Sequence, residues 1–192
     1  MRAVLVLLPL LAACATTSPT PYEPRTEEHR DTARAEELSR AAADLLYVDP
    51  ERAESMLREA LEADLFFGPA HNNLGVLYLS QEKPYEAAGE FEWARKLLPG
   101  HPDPRLNLAL TLEQAGRWEE AAEGYASALE VYPGHPPSER ALARLLVRRA
   151  PSDPRLRELL PRISLQGDSA WRSWVRRAAA KKGIPGPAEH SW

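Results

Sequence analysis

The chain has 192 residues, 44% of them hydrophobic, enough for one domain with a real core. A formal net charge of −4 argues against nucleic acid as the main partner, and a single cysteine, Cys14, excludes an intrachain disulfide or a thiolate metal cluster. The average charge conceals an asymmetry. Residues 1–137 carry 12 basic and 23 acidic side chains, net −11, whereas residues 138–192 carry 12 and 5, net +7.

At the N-terminus Arg2 supplies a positive charge and Ala3 to Leu11 form an apolar run interrupted by Pro9. The run is too short for the roughly 20 residues of a membrane-spanning helix. It closes with Leu11-Ala12-Ala13-Cys14, which resembles the lipobox of bacterial lipoproteins. That resemblance implies that residues 1–14 are a lipoprotein signal peptide. It also implies a covalent lipid on Cys14, a diacylglycerol thioether plus an N-acyl chain, with no other cofactor expected. More than one acyl chain anchors stably where a single chain is marginal. No aspartate follows Cys14, so the same resemblance implies the outer membrane, with the protein facing the periplasm. The competing readings are an ordinary secretory signal with an incidental cysteine, or a buried N-terminal helix. Residues 15–33, rich in Thr, Ser, Pro and charge, read as an extended tether.

From there the chain repeats itself. Asn73-Leu74-Gly75 aligns with Asn107-Leu108-Ala109, Tyr85-Glu86-Ala87-Ala88 with Glu119-Glu120-Ala121-Ala122, and Pro99-Gly100-His101-Pro102 with Pro133-Gly134-His135-Pro136, all at an offset of 34. Phe91 falls over Tyr125 and Ala94 over Ala128. A fixed period in this range marks a stacked-repeat architecture. Counting back by the same period gives a weaker first repeat, with a helix from Ala35 to Leu46 and a second started by Asp49 as N-cap and Pro50 at the first helical position. In the second and third repeats Leu74, Gly75, Tyr78 and Leu108, Ala109, Leu112 face Ala87, Phe91, Ala94 and Ala121, Tyr125, Ala128. This alternation of small and large positions over residues 34–135 resembles the tetratricopeptide repeat (TPR) family. The resemblance implies an all-α solenoid of helical hairpins, three repeats followed by C-terminal capping helices. Pro84 departs from it, standing at the turn where the third repeat has Trp118.

Residues 136–182 read as a degenerate repeat and capping helices. Leu142, Leu145 and Leu146 share a helix face, but Arg155 and Arg162 occupy small-residue positions of the partner helix, which is expected to shrink to Pro154–Leu160. Asp168 caps a last helix near Ser169–Lys182 with Trp171, Trp174, Val175 and Ala178 as its apolar stripe. Residues 183–192 read as a loose tail.

Catalytic signatures are not apparent. His29, His71, His101, His135 and His190 show no metal-ligand spacing, and there is no phosphate loop or nucleophile elbow, so no metal site and no enzyme is expected. The recurrence of His101 and His135 at one turn is explained by turn conformation. The expected working surface is the concave groove of the solenoid, lined by the first helix of each repeat. By register it takes Leu38, Ala42 and Leu45, then Asn72, Asn73, Val76 and Leu79, then Leu106, Asn107, Leu110, Glu113 and Gln114, and finally Arg140, Arg144 and Arg148. Amides suit a peptide backbone, apolar positions its side chains and arginines a carboxylate.

The expected function is that of a lipid-anchored periplasmic adaptor binding a partner protein or peptide in this groove, with the membrane contacted through the lipid and no nucleic acid. The alternatives are a pilotin-like factor for a type IV pilus or secretin system, and a peripheral membrane protein using its last helix, basic through Arg172, Arg176, Arg177, Lys181 and Lys182. The bland counterparts are a solvated arginine face and a tryptophan stripe that merely caps the stack.

Overall fold

The computed structural model describes residues 30–183; Cys14, the lipobox, the tether up to residue 29 and the tail beyond 183 lie outside them. The described residues form nine α-helices and no strands: α1 (Thr32–Ala43), α2 (Pro50–Ala63), α3 (Gly68–Ser80), α4 (Pro84–Leu97), α5 (Pro102–Gln114), α6 (Trp118–Val131), α7 (Pro136–Arg149), α8 (Leu156–Gln166) and α9 (Ser169–Lys182). α1, α3, α5 and α7 each pair with the helix that follows, α9 packs on α8, and consecutive odd helices from α1 to α7 lie side by side. The all-α solenoid expected from the sequence is the architecture observed.

The repeat period is visible in the helix starts. Pro50, Pro84 and Trp118 begin α2, α4 and α6 at steps of 34, as Gly68, Pro102 and Pro136 begin α3, α5 and α7. A proline at the first turn costs nothing there, because that N–H has no intrahelical acceptor. Each even helix then buries a small–large–small triplet: Ala53, Leu57 and Ala60; Ala87, Phe91 and Ala94; Ala121, Tyr125 and Ala128, all fully buried. Alanines let the two backbones approach, and the large residue between them fills the gap, each contributing about 1.5–3 kcal/mol of apolar burial. The fit leaves no spare volume. A Cβ at Gly75 would lie 2.6 Å from the Phe91 ring, and one at Gly124 would lie 2.8 Å from the Cβ of Ala109. In the third hairpin Ala109 stands where Gly75 does, and Gly124 makes room for it.

The strict count of 34 fails at α1. Its buried residues Ala35, Leu38, Ser39 and Ala42 correspond to His71, Leu74, Gly75 and Tyr78 of α3 at an offset of 36. The loop from 44 to 49 carries the difference, where later hairpins need only 81–83 and 115–117. Leu38 and Ala42 are therefore packing residues inside the first hairpin, not groove residues. The positions equivalent to Asn72, Val76 and Leu79 are Glu36, Arg40 and Ala43, all exposed, with Arg40 and Glu36 paired one turn apart. The fold also begins earlier than the sequence suggested, since residues 30–33 belong to it. Asp31 caps α1 through Arg34 N–H, and Asp31 N–H donates to the Ala63 carbonyl.

The fourth hairpin is more complete than its sequence implied. α8 does not stop at Leu160 but runs on to Gln166 through Pro161, burying Leu156, Leu159, Leu160 and Ile163. The two arginines that break the small-residue pattern are accommodated electrostatically. Arg155 sits just outside the helix and pairs with Asp153 at 2.7 Å, and Arg162 reaches the buried Glu139 of α7 at 3.0 Å. α9 then starts within a residue of one further 34-residue step from Pro136, as the first helix of a fifth repeat would. Asp168 caps it by accepting from Trp171 N–H at 3.0 Å, and Gly183 ends it in the left-handed region at φ 62°.

One buried carboxylate ties the start of the fold to the corner after α2. Asp64, 1% exposed, accepts from Arg30 Nε and Nη2 at 2.9 and 3.1 Å, from Thr32 Oγ1 at 2.8 Å and from Phe66 N–H at 3.0 Å. Burial pushes its pKa up, but the donors from Arg30, Thr32 and Phe66 outweigh burial and hold it below the usual carboxylate range. A depressed folded pKa means that the stabilisation is fully present above the unfolded value of about 3.9 and is lost as pH falls through the folded value below it. Asp64→Asn should therefore lower the urea-unfolding free energy by about 2 kcal/mol at neutral pH. The gap between the two proteins should close as pH falls below the usual carboxylate range; a gap independent of pH would show that the charge on Asp64 is not what matters.

Candidate functional site

The groove is built from one face of α3, α5 and α7, and the side chains fall into three kinds. Val76 and Leu79 on α3 and Leu110 on α5 are half-buried, each resting on the hairpin core while keeping a face in the groove. Leu106, expected beside them, is buried in the core cluster of the third and fourth hairpins and offers the groove little. Gln114 is exposed at the end of α5.

The amides are committed to the stack. Asn73 Nδ2 donates to Ser39 Oγ at 3.2 Å, linking α3 to α1. Asn107 Nδ2 donates to Asn72 Oδ1 at 3.0 Å, linking α5 to α3. Arg148 of α7 pairs with Glu113 of α5, whose other oxygen accepts from the Tyr125 hydroxyl at 2.6 Å. Burial, and then that bond to the carboxylate, push the Tyr125 phenol far above its ordinary range, so it remains a neutral donor. The links made by Asn73, Asn107 and Arg148 each join two neighbouring odd helices, while Tyr125 ties Glu113 to α6. Amide groups already paired in this way are less available to a peptide backbone than the sequence suggested.

At the C-terminal end the arginines do not form a uniform solvated stripe. Arg140 is half-buried and Arg144 exposed, and their guanidinium carbons lie 5.0 and 5.9 Å from the centre of the Trp171 ring on α9. Trp171 also meets Trp174 edge-on at 5.4 Å, and both pack on the core of the last hairpins, while Val175 is fully buried. Of the apolar stripe of α9, Val175 and Ala178 are thus buried in the protein and Trp171 and Trp174 half-buried against its core. The sequence does not announce Trp171 as a neighbour of the groove: the 34-residue count puts it at the position of Pro69, Asp103 and Pro137, outside the groove register, and only the fold brings it to Arg140 and Arg144.

Elsewhere the polar side chains have structural uses. His71, 4% exposed, bridges Glu90 at 2.7 Å and the Leu65 carbonyl at 2.9 Å. His101 accepts from Asp103 N–H at the start of α5, and His135 meets Ser138 Oγ at 2.8 Å at the start of α7, so both serve their turns. Among the described residues no group of three or more His, Cys, Asp or Glu could hold a metal ion, and no helix is long and apolar enough to cross a membrane.

Residues 72–136 match the tetratricopeptide repeat family model. Among solved structures, PilF of Pseudomonas aeruginosa superposes with a TM-score of 0.65 at 22% identity, over 80% of this chain and 75% of that one. YrrB, described as a TPR protein with an unusual peptide-binding site, gives 0.59 at 21% identity, over 77% and 76%. The first TPR of Spaghetti (RPAP3), bound to an HSP90 peptide, gives 0.57 at 18%, over 61% of this chain and 94% of that one. At these identities the likeness is one of fold. No curated protein matches the sequence.

If the amide links hold the stack together, Asn72→Ala and Asn107→Ala should each cost about 1 kcal/mol in urea unfolding. The double variant should cost less than the sum, with a coupling of about 0.5–1 kcal/mol in the cycle. Strict additivity would mean that the two amides do not support each other.

Proposed function

We propose that this chain is a lipid-anchored adaptor of the cell envelope, which holds a segment of a partner protein in the groove of α3, α5 and α7. The observation that carries this reading is the row of Val76, Leu79 and Leu110. It stays half-exposed along the groove although the surrounding polar groups have found partners within the stack. Apolar side chains spaced along a polar groove are what an extended or helical segment with matching side chains requires. Two proteins of the same fold, YrrB and the first TPR of Spaghetti (RPAP3), are described with a peptide site or a bound peptide, and this supports the same use of the surface here.

The anchor is read from the lipobox-like Leu11-Ala12-Ala13-Cys14, with the acylated cysteine in the outer membrane and the solenoid on its tether facing the periplasm. The absence of a catalytic motif from the sequence is in keeping with an adaptor. A second reading, a pilotin-like factor for a type IV pilus or secretin system, draws its support from the likeness of fold to PilF over 80% of the chain.

Placing a charge in the groove tests the first reading. Val76→Lys and Leu110→Lys should each reduce capture of the partner from solubilised envelope by tenfold or more, with far-UV circular dichroism and melting unchanged. Undiminished capture by both variants would show that the working surface lies elsewhere. The anchor is tested separately: Cys14→Ser should move the protein from the membrane fraction to the soluble periplasm, and unchanged membrane association would refute it.

A further inference from the structure

The groove is not uniform along its length, and its C-terminal end has a chemistry of its own. Of the four arginines of α7, Arg149 lies over Trp118, and the other three are not equivalent. Arg148 is neutralised by Glu113, which Tyr125 holds in place. Arg140 and Arg144 have no carboxylate partner among the described residues, and both lie over one indole, that of Trp171. A ring whose negative face attracts two guanidinium groups draws them together and restricts their rotamers before any ligand arrives. The rotamer entropy that a long arginine loses on binding is then partly lost in advance.

We propose that the segment held in the groove is acidic, and that its carboxylates dock on Arg140 and Arg144, which Trp171 positions. This deepens the groove reading and rests on it. The charge distribution of the whole solenoid favours the same arrangement. Residues 136–183 hold 12 basic and 4 acidic side chains, net +8, while residues 30–135 hold 10 and 20, net −10. An acidic segment is drawn to the net positive α7 end and away from the net negative N-terminal part, so charge also sets the direction in which the segment lies.

Spacing narrows the partner further. Side chains one helical turn apart, as in Arg140 and Arg144, are separated by about 5–6 Å at their Cβ atoms. Alternate residues of an extended chain are about 6.6 Å apart and point to the same side. Two acids separated by one residue therefore match the arginine pair. The adjoining Leu110 and Val76 take apolar side chains, which a peptide carries and a polyphosphate or a lipid headgroup does not. Trp171 is a positioning residue here, acting through the arginines.

Selection of a random-peptide phage library on the full-length protein, followed by fluorescence anisotropy with the enriched peptides, tests this. The expected peptides carry two carboxylates at alternate positions beside an apolar residue. Their affinity should fall at least tenfold in Arg140→Gln/Arg144→Gln and fall steeply with added salt in the wild type but not in that variant. Trp171→Ala should weaken binding several-fold and flatten the salt dependence, while Trp171→Phe should restore both. Enriched peptides without acids, whose binding is lost in Val76→Lys, would overturn the proposal and leave the groove reading standing. Failure to enrich any peptide would overturn both. Binding of the same variant set to phosphatidylglycerol vesicles but not to the enriched peptides, with loss in Arg140→Gln/Arg144→Gln, would assign the arginines to lipid and also overturn the proposal.

Discussion

The fold depends on how closely two helices of a hairpin can approach. Ala87 and Ala94 flank Phe91 on α4 so that α3 can rest against them, and Gly75 receives the edge of the phenyl ring at a distance that leaves no room for a Cβ. The same contact in the third hairpin is solved with the small residue moved to the other helix, Ala109 facing Gly124. This contact fixes the separation of the helix axes within a hairpin, and its repetition every 34 residues lets successive hairpins stack with a common curvature. The groove is a consequence of that stacking: it exists because the packing faces of α3, α5 and α7 are used up against their partners, leaving another face of each helix free.

What occupies that free face is decided by a second layer of contacts. Asn73 with Ser39, Asn107 with Asn72 and Arg148 with Glu113 each join neighbouring odd helices. Such links align the hairpins, and they also remove most of the polar groups from competition for a ligand. The chemistry left open in the groove is thereby simplified to an apolar stretch over Val76, Leu79 and Leu110 and a cationic end at Arg140 and Arg144. A groove that in the sequence runs from apolar through amide-lined to basic is, in the folded protein, apolar at its centre and charged at its ends.

The repeats were legible because their period is enforced by sterics: a larger residue at Ala87 or Ala121 cannot be tolerated, so the pattern survives at fixed spacing. The helix caps at Asp49 and Asp168 were legible for a similar local reason, since each side chain satisfies an N–H only a few residues away. What could not be read was long-range or compensated. The two extra residues before α2 shift Leu38 and Ala42 from groove to core, and nothing local announces the insertion. Arg155 and Arg162 suggested a collapsed fourth hairpin because their partners, Asp153 and the buried Glu139, are identified only by the fold. The commitment of Asn73 and Asn107 to neighbouring helices was hidden for the same reason. An isolated helix cannot reveal which of its polar groups the next repeat will claim.

The last helix joins these two layers. α9 continues the period by one more step, and Trp171, Trp174 and Val175 seal the end of the core as a cap must. Yet a cap needs only an apolar inner face and a polar outer one, and neither requirement places an aromatic ring beside two arginines of α7. Trp171 meets the core with part of its surface and the guanidinium groups of Arg140 and Arg144 with another. In a solenoid whose described N-terminal part is net negative, closing the stack with a helix that gathers positive charge at the groove makes the molecule strongly dipolar along its axis. The helix that ends the stack therefore also shapes what the groove can hold.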